Sequence, residues 1–429
     1  MVRPESARDL WARLATEGKP PVDPILAAEI LPVYTVALDS WIGRISRAYF
    51  EDLSRRQAHY KLVLAPYGGG KTHFLLALAQ RALAENFVSV YVPCSAGLAF
   101  TEPLAVYRAF VRAILLPDEK APGLGRLLAR VVEHKKLAMA NAQAPDVGDA
   151  FRAWVQFIAG DYHPEPAFGR VMAEALRSVD DPAEAPFGEP AVRWLSGEVD
   201  SLTREELAGL KLPRFAKSDQ QELGRNLFLS MLRFIPSAGV HGTALLFDEV
   251  ETLATAIRGK ALQRLLGAIR VMLDLPTGVP GGIPLLGVFA ATPDVLASIQ
   301  KYQALAQRLA VSGSPFEEGN DRAAQLDLSK LGVPSQFLIE LGNRLVEVGR
   351  LACDHDFDES LQHENAVRLA RVATERNLAI DARRLFVKAW VSLLDFQGRS
   401  GERVMPEEEL SLRYQGVFDD LKGSEEDGE

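Results

Sequence analysis

The sequence predicts an α/β fold: a parallel sheet, a large helical insertion within it, and an all-helical domain towards the C-terminal end. Three observations carry this. Short apolar runs of strand character alternate with helical patterns from Lys61 onward. From about Pro117 to Ala238 the chain is rich in Ala, Leu and Arg and shows no clear strand. After Pro334 every segment has helical spacing. The expected boundaries are a helical segment at 1–56, an α/β domain at 57–330 with its insertion at about 117–238, a helical domain at 331–398, and a partly disordered tail at 399–429.

The first element, "ILAAEILPVYTVALDSWIGRISRAYFEDLSRR", looks helical with breaks at Pro32 and Gly43. Then "KLVLA" (Lys61 to Ala65) reads as a buried strand and "THFLLALAQRALAE" (Thr72 to Glu85) as a helix. Between them, three successive glycines would weaken either element. They suit instead a strand-to-helix turn whose backbone N–H groups curl around an anion, helped by the positive end of the helix dipole. The spacing fits Gly-x-x-x-x-Gly-Lys-Thr, with Ala65 in the first glycine's place. Ala65, Pro66, Tyr67, Gly68, Gly69, Gly70, Lys71, Thr72 and His73 are thereby candidates for holding a nucleoside triphosphate. Lys71 would reach the β- and γ-phosphates, and the Thr72 hydroxyl would ligate Mg2+. A flexible glycine loop with a stray lysine is the bland alternative; the flanking strand and helix weigh against it.

A second strand, "NFVSVYVPC" (Asn86 to Cys94), and an amphipathic helix, "EPLAVYRAFVRAILL" (Glu102 to Leu116), follow. The insertion is punctuated by the turns "DYHPEPAFG" and "DDPAEAPFGEP" and is expected to contact a partner or DNA. "GTALLFDEVETL" (Gly242 to Leu253) is a buried strand delivering Asp248 and Glu249 at its C-terminal end, where parallel sheets bind ligands. Asp248 would hold Mg2+ through its water shell and Glu249 would act as general base on the attacking water. An acidic N-cap of the next helix is the alternative. "IPLLGVFAATPD" (Ile283 to Asp294) ends in Thr292, placed to orient water or touch the γ-phosphate, or simply to cap a helix. A helix then ends near Arg308, and an edge strand is expected around Leu326 to Leu328. In the last helix Asp381 is the expected cap, and Arg383 and Arg384 lie in the first turn, where cations oppose the dipole and want an anion. A surface salt bridge would serve them equally.

Apolar residues make up 48% and charged residues 24% of 429 residues, an ordinary balance for a soluble globular chain with two or three cores. The net charge of -9 argues against a monomer that coats nucleic acid non-specifically, although a local basic face around Arg225, Arg233 and Lys211 to Lys217 remains open. Cys94 and Cys353 form no metal-type cluster and suit a reducing, cytoplasmic setting. No signal-peptide pattern or membrane-length apolar run is evident.

The motif order, phosphate loop, acidic strand end, Thr-bearing strand and Asp-Ala-Arg-Arg helix, resembles the AAA+ P-loop ATPases, nearest to the replication-initiator branch. The likeness covers Lys61 to Gln397; Ile380 departs from the Gly-Asp-x-Arg of that branch's lid, whereas Asp381 and Arg383 match. It implies ATP and Mg2+ as cofactors, a helical lid carrying Arg383, and a homo-oligomer in which a neighbour's arginine reaches the γ-phosphate. Arg308 matches that position, with Arg322 as its rival. More narrowly, "PYGGGKTHFL" (Pro66 to Leu75) looks like the ATP-binding proteins of BREX bacteriophage-exclusion systems, particularly the stand-alone, BrxD-like members. That likeness implies antiphage defence alongside DNA, a helicase and other defence proteins. The residues leave three function classes open. An ATP hydrolase is the first, a nucleotide-dependent assembly switch with little turnover the second, and a kinase-like transferase the third, which "LLFDE" disfavours.

Overall fold

The computed structural model of the protein describes residues 4–18, 39–51, 57–66, 69–94, 98–214, 216, 218–255, 267–271, 274, 282–301, 303–308, 316–317, 319–328, 335–376 and 382–426. The chain divides into two compact units, one formed by 1–44, 63–78 and 327–429, the other by 45–62 and 79–326.

Most of the six-stranded sheet lies in the second unit. The sheet's strands are β1 (Ala58–Leu64), β2 (Val88–Pro93), β3 (Ile114–Leu115), β4 (Thr243–Asp248), β5 (Leu285–Ala291) and β6 (Gln325–Asp327), in the order β3-β2-β4-β5-β1-β6. β2, β4 and β5 run parallel, with Pro93 opposite Asp248 and Phe247 opposite Phe289. Every residue of β4 and β5 is buried, which is why both read as near-continuous apolar runs rather than alternating ones. Gly287 in β5 is needed for packing, since a Cβ there would lie 2.6 Å from the Tyr60 ring.

Two expectations change. The helix expected over Glu102 to Leu116 stops at Arg112, as α4 (Pro103–Arg112), and Ile114 and Leu115 pair antiparallel with β2 instead. Both residues continue the helical spacing, but a free sheet edge offers their backbone groups a ladder. Nor does Gly43 break its helix: α2 (Asp39–Ser46) runs through it and continues as a π-turn over Arg47–Glu51. One glycine costs only about 1 kcal/mol against alanine, and the neighbouring Ile42 and Ile45 are buried. Pro32 lies outside the described residues. α3 (Lys71–Ala84) follows β1 as expected.

Between β3 and β4 the described residues form helices α5 (Leu124–Asn141), α6 (Val147–Gly160), α7 (Phe168–Asp180), α8 (Gly188–Leu195), α9 (Arg204–Gly209) and α10 (Gln220–Phe234). Asp146 caps α6 through the Asp149 N–H, and Thr203 with Glu206 makes a reciprocal capping box on α9. α10 returns to α4. A Cβ on Gly224 would lie 2.3 Å from the Leu104 nitrogen, and the Phe110 and Phe228 rings are 4.9 Å apart. So α10 packs on α4, and α8 does so too, the Tyr107 hydroxyl donating to the Leu195 carbonyl at 2.5 Å.

Lys61, in β1, is fully buried. Its Nζ donates to the Ala323 carbonyl at 2.6 Å and the Asp321 carbonyl at 3.3 Å, and the rings of Tyr49 and Phe316 each lie 4.8 Å away. The Tyr49 hydroxyl donates to the Arg322 carbonyl at 3.4 Å, and burial pushes its phenol up to about 12. Lysine and tyrosine together clamp the backbone that enters β6. Lys61→Met keeps much of the volume but removes the donor from two carbonyls, and is expected to lower stability by about 1–3 kcal/mol. Denaturant unfolding measures this, and an unchanged midpoint would rule the clamp out.

In the first unit α1 (Pro4–Glu17) shares one core with α14 (Ser335–Cys353), α15 (Glu359–Arg376), α16 (Ala382–Ser400) and α17 (Glu407–Glu426). Trp11 Nε1 donates to Asp395 at 2.7 Å, and Trp390 Nε1 to the Gly342 carbonyl at 2.9 Å. The region expected as a partly disordered tail contains α17. Its acidic start masks Leu410, Tyr414 and Val417, at helical spacing, which pack into that core. A buried Gln362–Gln397 pair and the Asn365 side-chain oxygen Oδ1, which accepts the Met405 N–H at 2.8 Å, fix the turn before it. Among the described residues no helix is long and apolar enough to cross a membrane.

Candidate functional site

The glycine loop follows β1 and ends at Lys71, the first residue of α3. Tyr67 and Gly68 lie outside the described residues. A Cβ on Gly69 would come within 2.7 Å of the Ala65 Cβ, so the alanine in the first glycine position packs beneath a residue that must itself be glycine. Gly70 has φ +86°, a conformation glycine alone adopts cheaply. The Gly69 N–H turns to the Pro66 carbonyl at 3.0 Å. Lys71 is buried, and its Nζ donates to the Ala65 carbonyl at 3.1 Å and the Pro66 carbonyl at 3.3 Å. Thr72 is half-buried and His73 buried.

Arg383, in the first turn of α16, reaches this loop. Its Nη1 donates to the Gly69 carbonyl at 3.4 Å, its guanidinium lies 5.1 Å from the centre of the Phe337 ring, and a Cβ on Gly70 would be 2.9 Å from Nη1. Lys71 and Arg383 thus both donate to carbonyl oxygens of one loop. Phosphate oxygens are stronger acceptors for the same donors. A loop without room for side chains, with a helix start, two cations and a hydroxyl, fits a triphosphate by donor chemistry. Ile380 and Asp381 lie outside the described residues.

In the second unit Asp248 and Glu249 stand at the end of β4, and Thr292 directly follows β5. Asp248 is buried; its Oδ1 accepts the Glu249 N–H at 2.9 Å and its Oδ2 the Tyr91 hydroxyl at 2.7 Å. Glu249 is exposed and has φ +54°, the left-handed region that favours glycine. Its carbonyl accepts the Thr252 N–H at 3.0 Å and the Thr252 hydroxyl at 2.8 Å, so Glu249 also occupies the N-cap position of α11 (Val250–Thr255). Thr292 is buried, and its carbonyl accepts the Val295 N–H at 3.1 Å as α12 (Pro293–Lys301) begins. The helix-start readings of Glu249 and Thr292 thus describe their backbones, while the chemical readings concern their side chains.

Arg308 closes α13 (Gln303–Arg308); its side chain is outside the described set. Arg322 is exposed, just before β6.

Sequence reasoning missed Tyr91 and Cys94. Burial and the Asp248 carboxylate push the Tyr91 phenol far above its ordinary value; burial and the same acidic group do likewise to the Cys94 thiol. Cys94 also donates its N–H to the Asp248 carbonyl at 2.8 Å. The available signal was a tyrosine within the strand "VSVYVP", since a phenol packed in a sheet seeks a hydrogen-bond partner.

A glycine loop entering a helix from a largely parallel α/β sheet is compatible with the P-loop nucleotide-binding class. The chain belongs to the family described as BREX system ATP-binding protein BrxC/D, whose profile matches residues 31–410. No curated protein and no solved structure gives a match.

Proposed function

We propose that this chain binds ATP with Mg2+ at the loop and hydrolyses it, as an AAA+-like component of BREX-type antiphage defence. The observation that carries the reading is the loop: Lys71 and Arg383 both donate to its carbonyls, beside Gly69 and Gly70, where a Cβ would crowd its neighbours. Ala65 to His73 would enclose the phosphates, with Lys71 and Arg383 as their cations and α14 to α16 as the lid. Thr72 and Asp248 supply the hard oxygen donors Mg2+ prefers, and the ion would neutralise phosphate charge. Glu249 takes the proton of the attacking water, and Thr292 orients that water.

DNA and a helicase are the proposed partners in the cytoplasm, met through the insertion. Leu137, Phe157 and Tyr162 are exposed there, and the Arg233 guanidinium lies 6.0 Å from the Tyr162 ring centre. ATP turnover of the purified chain, with Mg2+ and with or without DNA, tests the reading. Tight binding without turnover would favour the nucleotide-dependent switch.

Assembly makes a separate prediction. If Arg308 acts on a neighbour's phosphate, Arg308→Ala keeps ATP affinity and loses turnover by orders of magnitude, and mixing it with Lys71→Ala restores part of the activity. Arg322→Ala is the parallel test of its rival. Turnover per chain that is constant on dilution and indifferent to both arginines would mean that the protein works as a monomer.

A further inference from the structure

We propose that Tyr91 is the positioning residue of the acidic metal ligand, its hydroxyl holding Asp248 so that the carboxylate faces hydrated Mg2+ in one orientation. The inference rests on the reading of Asp248 given above.

Asp248 is fixed at three points. Tyr91 Oη donates to Oδ2 at 2.7 Å, the Glu249 N–H donates to Oδ1 at 2.9 Å, and the Asp248 carbonyl accepts the Cys94 N–H at 2.8 Å. Two of these three come from β2 and the residue following it. The register explains how. Pro93 is opposite Asp248, so Tyr91, two residues earlier, lies on the same face as the diagonal neighbour of the aspartate. The carboxylate itself is buried, whereas the phenol is only half-buried.

A carboxylate with one donor on each oxygen cannot rotate freely about its Cβ–Cγ bond, yet each oxygen keeps lone pairs for a metal's water. Partners that orient a metal-binding carboxylate set metal affinity without touching the metal. Removing the Tyr91 hydroxyl should therefore weaken the response to Mg2+ and leave the phosphate loop, in the other unit, unaffected.

The experiment titrates Mg2+ into the full chain with a fluorescent ATP analogue, and repeats the nucleotide titration in EDTA. Tyr91→Phe is expected to raise the half-saturating Mg2+ by about tenfold or more. Excess Mg2+ should recover both nucleotide tightening and turnover, and affinity in EDTA should match the parent chain. A packing role would not be rescued by Mg2+, so failure of the rescue overturns the proposal, as does loss of binding in EDTA. Asp248→Asn is the control for the underlying reading. If Asp248→Asn shifts the Mg2+ response and Tyr91→Phe does not, Tyr91 has no positioning role. If Asp248→Asn leaves the response intact, Asp248 is not the ligand, and the inference falls with that assignment.

Discussion

Lys71→Ala is expected to abolish ATP binding. The lysine heads α3, is buried, and aims its ammonium into the loop, where it donates to the Ala65 and Pro66 carbonyls. Alanine removes every side-chain donor and the positive charge at once. Two charge-assisted hydrogen bonds at about 1.5–3 kcal/mol each correspond to an affinity loss of roughly a hundredfold or more. Isothermal titration with ATP and Mg2+ measures it. A variant that still binds ATP tightly would remove the phosphate-loop assignment, because no other residue of the loop carries a cation.

Glu249→Gln is expected to bind ATP as the parent does and to turn it over about a hundredfold to ten-thousandfold more slowly, since an amide cannot accept the water's proton. The backbone offers an independent check on the same residue. A glutamate at φ +54° is held in a region costing L-residues roughly 1–2 kcal/mol. Glu249→Gly should relieve that strain and stabilise the fold while being at least as slow as the glutamine variant. Strain retained at a position where glycine would be easier is a reason to look for function there. Full turnover in Glu249→Gln would move the general base elsewhere.

What could be read in the sequence was local. The loop declares itself in a dozen adjacent residues, and β4 and β5 in single apolar runs, so neither needed knowledge of a distant partner. β3 was hidden because Ile114 and Leu115 extend the pattern of α4 and become a strand only when β2 is beside them. α17 was hidden by its three leading glutamates. Tyr91 and Asp248 are 157 positions apart, and nothing in either neighbourhood names the other. Arg383 was placed near an anion by its helix position and by the likeness of its motif to an AAA+ lid, while its approach to Gly69 bridges 314 positions.

The packing of α1 also has a bearing on how the protein is made. Ala7, Leu10, Trp11 and Leu14 are buried in a core whose other members begin at Phe337. A ribosome adding about 5–20 residues per second needs on the order of tens of seconds to deliver that partner. Throughout that interval the nascent chain carries an apolar helix face with nothing to cover it, while the sheet unit is synthesised in between. Trigger-type chaperones that shield emerging apolar segments are therefore expected to matter for yield. Slow translation before Phe337 should increase aggregation, and polar substitutions of Leu10 should reduce capture of the nascent chain while costing the finished protein its stability.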